Sequence, residues 1–170
     1  SRGLLDKMIY LNFMNQNVED GTIIEIGAHK GDYGGSNSYF FEKYLDYKTI
    51  LIEPDSKNFK SLIKNRPNSL SLNYAVSYDI SFIKLFTVLG GEVSSTTNKW
   101  KDTKTYEFVP CKPMNKILQE YNLKYLDFFS IDVEGAELIV LNTFDWNIPV
   151  GIICIELLSE HPNKKHLQHF

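Results

Sequence analysis

Short apolar runs and stretches of helical spacing follow one another in a regular order along the chain. The apolar runs predict strands at 22–24, 49–52, 70–74, 126–131 and 150–155, because buried strands of a parallel sheet read as continuous apolar segments. Between the runs, apolar residues recur every three or four positions and predict helices at 4–16, 34–44, 55–66, 113–121, 136–143 and 161–170. The alternation predicts an α/β fold of one domain, 1–170, with a mostly parallel sheet and helices on both faces.

The middle of the chain departs from this order. Residues 81–88 and 105–109 both have strand character, and no helical pattern separates them. The segment between them, 90–102, is rich in glycine, serine and threonine and contains Trp100. We therefore predict an antiparallel excursion whose connecting loop borders the pocket of an acceptor molecule.

A glycine turn follows the first predicted strand. Its spacing, Gly27-x-x-x-Gly31, differs from the G-x-G-x-x-G pattern whose second glycine admits a pyrophosphate. His29 occupies the place of that glycine, and Glu25 would repel a pyrophosphate. A ligand with a positive centre and an amino group suits these residues better, and S-adenosylmethionine has both.

Glu53 ends the second predicted strand and is followed by Pro54. Open α/β sheets bind their ligands at the carboxyl ends of the strands, where the strand order reverses. A carboxylate at that edge can accept hydrogen bonds from the two hydroxyls of a ribose. The position therefore indicates a cofactor that contains a nucleoside.

Two more acids, Asp132 and Glu134, follow the fourth predicted strand. Glu137 comes next, in the first turn of a helix, where an acid is favoured by the helix dipole. Asp132 has no such structural reason, because a carboxylate that ends a buried strand is costly unless it meets a partner. Four acids are thus predicted at one edge of the sheet: Glu25, Glu53, Asp132 and Glu134.

Composition and charge narrow the choice of partner. The 170 residues are 43% hydrophobic and 23% charged, with a net charge of −3, which provides no basic surface for a nucleic-acid backbone. The two cysteines, Cys111 and Cys154, have no C-x-x-C spacing, so the sequence has no zinc or dithiol motif. Since we find neither an apolar stretch of membrane-spanning length nor a leader-like segment, we expect a cytoplasmic protein without a membrane segment.

Taken together, the motifs resemble the FkbM family of S-adenosylmethionine-dependent methyltransferases. The matching stretches run in order along nearly the whole chain, at 24–31, 52–54, 73–77, 109–118, 130–137 and 153–156. The D-V-E-G-x-E stretch at 132–137 is the most specific of them. The resemblance implies a Rossmann-like methyltransferase fold that transfers methyl groups, usually to hydroxyl oxygens of sugars or natural products.

The resemblance also implies a set of cofactor-binding positions, which comprises Glu25, Gly27, Ala28, His29, Gly31, Glu53, Pro54, Ala75, Val76 and Asp132. The glycine turn with Glu25 would frame the methionine part of the cofactor. Glu53 would hold the ribose, and Ala75 and Val76 would approach the adenine. Asp132 would lie near the sulfonium and amino end.

The sequence differs from the family pattern in two places. The family often has Asp-x-Gly-Ala-Asn in the first motif, where this chain has Glu25 and His29. His29 fits either a contact to the acceptor or a simple turn residue. Methyltransferases of this type also add two strands after the fifth, whereas only 157–170 follow Glu156 here. We therefore predict a sheet that lacks the C-terminal strands, with a fifth-strand edge that a partner or a missing C-terminal segment covers.

The expected reaction is an O-methylation of a small-molecule or glycan acceptor, with Asp132, Glu134 and His29, in that order, as candidates for the general base. Two carboxylates without a histidine at matching spacing do not predict a metal site, although a divalent ion between Asp132 and Glu134 is the lesser option. A non-catalytic cofactor-binding or scaffold domain with the same fold is the alternative outside enzymes. A nicotinamide-dependent oxidoreductase ranks last, because the turn lacks the third glycine.

Overall fold

The computed structural model describes residues 5–14, 20–88, 93–95 and 105–156. Its helices and strands, in chain order, are α1 (Leu5–Phe13), β1 (Thr22–Ile26), α2 (Tyr39–Leu45), β2 (Lys48–Ile52), α3 (Ser56–Asn65), β3 (Leu70–Leu72), β4 (Ala75–Val76), β5 (Ser81–Val88), β6 (Val93–Ser95), β7 (Tyr106–Lys112), α4 (Met114–Glu120), β8 (Leu126–Ile131), α5 (Glu137–Thr143) and β9 (Val150–Ile155). None of the helices in the described ranges has the length and apolar content that crossing a bilayer requires.

The main sheet has five parallel strands in the order β3-β2-β1-β8-β9. This confirms the predicted α/β architecture with a mostly parallel sheet. The chain moves outward from β1 to β3 and then returns to the other side of β1 with β8. The strand order therefore reverses between β1 and β8, which is the place where open sheets of this kind bind ligands.

Alternate residues of the central strands enter two different hydrophobic clusters. Ile24 and Ile26 of β1 pack in the cluster that includes residues of α4 and α5. Ile23 packs with Phe41 of α2 and Phe128 of β8 on the opposite face, and Leu51 packs there with Leu62 of α3. The sheet is thus covered on both faces, as predicted, and β1 is buried from either side.

The predicted antiparallel excursion is confirmed as a second sheet, with the strand order β4-β7-β5-β6. β5 pairs antiparallel with both β6 and β7, whereas β4 pairs parallel with the end of β7. That last pairing extends β7 to Lys112, beyond the predicted end at 109. β6 falls inside the predicted loop 90–102; the rest of that loop lies outside the described residues.

Three further boundaries depend on local contacts. Asp55 caps α3, because its carboxylate accepts hydrogen bonds from the backbone N–H groups of Lys57 and Asn58. α2 begins at Tyr39 and not at residue 34, because Ser36 and Ser38 hydrogen-bond to a buried carboxylate instead of continuing a helix. β3 ends at Leu72, two residues before the predicted end. The predicted helix at 161–170 lies outside the described residues.

Candidate functional site

The glycine turn after β1 lies against the end of β8. Gly27 has a φ of +82°, which favours glycine over residues with a side chain. A Cβ atom at this position would overlap the backbone carbonyl oxygen of Asp132. The glycine therefore permits the close approach of β1 and β8 at the point where the strand order reverses.

Glu53 joins the turn after β1 to the turn after β2. Its Oε2 accepts a hydrogen bond from the backbone N–H of His29 at 2.8 Å, and its Oε1 accepts one from Asp55 N–H at 2.9 Å. Only 4% of the residue is exposed. Burial raises the pKa of Glu53 to about 7, against the opposing effect of the two backbone hydrogen bonds. A carboxylate has about four acceptor sites, so each oxygen keeps capacity for a further donor.

Asp132, Glu134 and Glu156 form an acid cluster at the ends of β8 and β9. One oxygen from each of these three carboxylates lies within 4.8 Å of the others. Burial raises the pKa of Asp132, and the adjacent carboxylates of Glu156 and Glu134 raise it further. Like charges this close disfavour full ionisation, so the acid cluster is suited to a ligand that brings positive charge.

Glu156 was not among the predicted site residues. It follows β9, and its backbone N–H donates to the carbonyl of Ile131 at 2.9 Å, which sets it beside the end of β8. The rule that identified Glu53 and Asp132, an acid directly after a parallel strand, applies to Glu156 as well. We call the shared edge formed by Gly27, Glu53 and the acid cluster the carboxyl rim.

Glu25, the fourth predicted acid, lies behind this rim. It is only 2% exposed. Its Oε2 accepts hydrogen bonds from the hydroxyls of Ser36 at 2.7 Å and Ser38 at 2.5 Å, and its Oε1 accepts one from Asn37 N–H at 2.7 Å. Burial raises the pKa of Glu25, while these hydrogen bonds act in the opposite direction. All the contacts described for this carboxylate are with protein groups.

The other predicted positions have separate surroundings. Ala28 is buried against Leu51 and Leu62, and Ala75 and Val76 also contribute their side chains to hydrophobic clusters. His29 has a φ of +50° and is partly buried in the turn. Of the remaining two positions, Pro54 follows Glu53 and its carbonyl accepts a hydrogen bond from the Asn73 amide at 2.9 Å, and Gly31 has a φ of +64°.

The residues of the carboxyl rim suit a ligand with two kinds of polar group. Free acceptor capacity on Glu53 matches a pair of hydroxyl donors, and the negative charge of the acid cluster matches a cationic centre. S-adenosylmethionine carries ribose hydroxyls, an ammonium group and a sulfonium. The chemistry of the donor set on this rim therefore fits that molecule.

Comparison with known proteins agrees with the geometry. Residues 25–169 match a protein-family model described as the methyltransferase FkbM domain. The match begins at Glu25 and includes Glu53 and the acid cluster. Among curated proteins, no match was found.

Proposed function

Because this chain belongs to the FkbM methyltransferase domain family, we propose that it transfers a methyl group from S-adenosylmethionine to a hydroxyl oxygen of a sugar or another small molecule. The observation that carries this proposal is the convergence of Gly27, Glu53 and the acid cluster on one carboxyl rim. The family supports methyl transfer in general; the choice of cofactor, of acceptor atom and of residue roles is our own.

Glu53 and the acid cluster would hold the two ends of the cofactor. The free acceptor capacity of Glu53 would receive the ribose hydroxyls, and Asp132 with its neighbours would face the ammonium and sulfonium groups. Gly27 and Gly31, whose positive φ angles shape the turn, would place its backbone close to the methionine part. Ala75 and Val76, the predicted adenine positions, form β4 and would approach the adenine.

Bound S-adenosylmethionine would supply an electrophilic methyl group on its sulfonium. The protein's remaining tasks are to align the acceptor hydroxyl and to take its proton, and alignment is where proximity contributes most to the rate. Asp132 is our first choice for the general base, because it lies at the end of β8 within the acid cluster. Glu134 and His29 follow in that order as alternatives.

The acid cluster should contribute more to cofactor binding than to the rate of transfer. The positive charge of the sulfonium disappears as the methyl group leaves it, so nearby carboxylates stabilise the ground state more than the transition state. Neutralising Glu156, which we do not assign as the base, should therefore weaken cofactor binding more than it lowers kcat. Neutralising the base itself should lower kcat.

Replacement of Glu53 tests the cofactor assignment. Glu53→Gln keeps the size of the side chain but weakens the acceptor, and Glu53→Ala removes it. We expect the affinity for S-adenosylhomocysteine, measured by calorimetry, to fall by about 1.5–3 kcal/mol for each charge-assisted hydrogen bond lost. Glu120→Ala is the matched control, because Glu120 is an acid in α4 that pairs with Lys112 and is not a residue of the rim.

Two results would contradict the Glu53 assignment. The first is an unchanged affinity in both Glu53 variants, with circular dichroism showing that they are folded. The second is an equal loss of affinity in Glu120→Ala. Methyl release from labelled S-adenosylmethionine, assayed with a panel of hydroxylated acceptors, then tests turnover. Binding without turnover on any acceptor would favour the non-catalytic alternative.

A divalent cation is a second option for the acid cluster, favoured by the third carboxylate that Glu156 adds. Carboxylate oxygens are hard ligands that suit Mg²⁺ or Ca²⁺. The two options differ in their response to chelation. Activity that survives dialysis against a chelator supports a cluster that faces the cofactor, whereas activity that is lost and then restored by Mg²⁺ supports a metal site.

A further inference from the structure

A buried polar network lies behind the carboxyl rim, on the face of the sheet that α2 and α3 cover. We define it as Glu25, Ser36, Ser38, Glu42 and Arg66, with Thr49 and Ser69 at its far end. Glu25 gathers the hydroxyls of Ser36 and Ser38 and the backbone N–H of Asn37. The segment 36–38 leads from the glycine turn into α2. It is therefore held to β1 by hydrogen bonds to the side chain of Glu25.

Arg66 connects the two carboxylates of this network. The residue is 2% exposed, and its guanidinium donates to Ser36 Oγ at 2.9 Å and to Ser38 Oγ at 3.2 Å. It also forms an ion pair with Glu42 at 2.5 Å. Burial acts to raise the pKa of Glu42, but the hydrogen bonds from Arg66, Ser69 and Thr49 outweigh it and hold that pKa below its ordinary value.

Arg66 also contacts both ends of the segment 31–38. A Cβ atom at Gly31 would overlap Cδ1 of Leu62 and crowd Cγ of Arg66, so the stem of Arg66 packs beneath the end of the glycine turn. At the other end, the guanidinium lies 5.5 Å from the ring centroid of Tyr39, the first residue of α2. Between these contacts, residues 32–35 are exposed. Their path depends on how the two ends are held.

We propose that Arg66 and Glu25 are positioning residues that set the affinity for the cofactor without touching it, by fixing the segment 31–38 beside the carboxyl rim. This inference rests on the proposed function, because the glycine turn at the start of the segment is where that function places the methionine part of the cofactor. A purely structural network would affect the stability of the fold and leave cofactor affinity unchanged.

Two serine-to-alanine variants separate these roles. Ser38→Ala removes a hydroxyl that bonds both Glu25 and Arg66. Ser69→Ala is the matched control, since its hydroxyl bonds Glu42 and Thr49 at the far end of the network. We expect Ser38→Ala to weaken S-adenosylhomocysteine binding about tenfold, the equivalent of one hydrogen bond to a charged group. Ser69→Ala should lower Tm and leave the dissociation constant unchanged.

Arg66→Lys sharpens the test. Lysine keeps the positive charge and an aliphatic stem, but it lacks the planar fork that reaches both serines and Glu42 together. We therefore expect its cofactor affinity to fall at least as far as that of Ser38→Ala. Equal shifts in Tm for Ser38→Ala and Ser69→Ala, with no change of affinity in Ser38→Ala or Arg66→Lys, would overturn the proposal.

Hydrogen exchange provides a readout that needs no cofactor. In the free protein, Ser38→Ala should speed exchange at the backbone amides of 36–38, and Ser69→Ala should not. If the wild-type protein does not bind S-adenosylhomocysteine, the proposed function fails and the exchange difference alone decides whether the network holds the segment. If the protein binds but exchange and affinity are the same in both variants, the positioning role fails and the proposed function stands.

Discussion

Two groups of carboxylates lie near the same end of the sheet, and they differ in what balances their charge. In the buried network, Glu25 and Glu42 share one guanidinium and several hydroxyl donors. In the acid cluster, Asp132 and Glu156 form no ion pair with a lysine or arginine of the part of the chain described here. The first group is balanced by the fold, whereas the second is suited to positive charge from a ligand.

This comparison indicates that the two groups of carboxylates have different roles: the buried network holds a loop in place, and the acid cluster is suited to binding a ligand. When all the hydrogen-bond partners of a buried carboxylate belong to the protein, they offset its desolvation penalty within the folded state. Such a carboxylate can hold a loop in place. In the acid cluster, the neighbouring carboxylates raise the pKa of Asp132, and a bound cation would oppose that repulsion. Substitutions that remove charge should therefore harm the buried network and relieve the acid cluster.

The largest expected effect comes from Arg66→Met, which keeps the stem beneath Gly31 but removes the charge. Glu42 would then lose its ion-pair partner and the buried Glu25 a nearby positive charge, and we expect the free energy of unfolding to fall by about 3–5 kcal/mol. Urea unfolding measures this loss. The matched control is Lys112→Met, which breaks the more exposed pair with Glu120 and should cost less than about 1 kcal/mol. Equal losses of unfolding free energy in Arg66→Met and Lys112→Met would contradict the difference drawn between the buried network and exposed ion pairs.

The next effect is the pH dependence that Glu53 contributes. Its pKa is raised from 4.5 to about 7 by burial, so the folded state binds a proton that the unfolded state has released between these values. The stability from this residue is complete below pH 4.5 and is lost as pH rises through 7, by up to about 3 kcal/mol. Thermal unfolding from pH 4.5 to 8 should show a shallower decline in Glu53→Gln than in the wild type.

Cofactor binding should respond to pH in the opposite direction. In the proposed function, ribose hydroxyls would donate to the ionised carboxylate of Glu53, so the affinity for the cofactor should weaken as pH falls below about 7. In Glu53→Gln that dependence should be weaker, and the part that remains should come from Asp132, whose pKa is also raised. A wild-type affinity that is constant between pH 5.5 and 8 would separate Glu53 from the ribose site while leaving its effect on stability intact.

The smallest effect concerns the acid cluster. Glu156→Gln removes one of three neighbouring charges, so it should lower the pKa of Asp132, which carbon-detected NMR can follow. Because the cluster is partly exposed and solvent screens it, we expect the free protein to gain only about 1 kcal/mol at pH 8. A loss of stability in this variant would show that Glu156 has a structural partner and does not belong with the unbalanced charges.

The parts of the fold that follow local rules could be predicted from the sequence. The strands of the main sheet are apolar runs, Asp55 is a recognisable helix cap, and Glu53 and Asp132 stand directly after strands. Glu156 also follows a strand directly, so the same rule could have identified it as a site residue. These features need only neighbouring residues and the geometry of a parallel sheet.

The environment of Glu25 could not be predicted in this way. Its partners lie in the segment 36–38 and, 28 residues further along, at Arg66, and no periodic pattern connects these positions. Strand alternation places the Glu25 side chain on the face of Ile23 and not on that of Ile24, but it does not show which residues cover that face. The start of α2 was misplaced for the same reason, because the serines before it bond to Glu25.

The two hydrogen bonds of Glu53 have a consequence for the free protein. Through His29 N–H and Asp55 N–H, one side chain spans the turns that follow two neighbouring strands. The spacing of those turns is thus set before any nucleoside arrives, and an incoming molecule encounters a preassembled bracket whose ordering entropy has already been lost on folding. In the proposed function, binding at this edge would therefore require little rearrangement of the two turns.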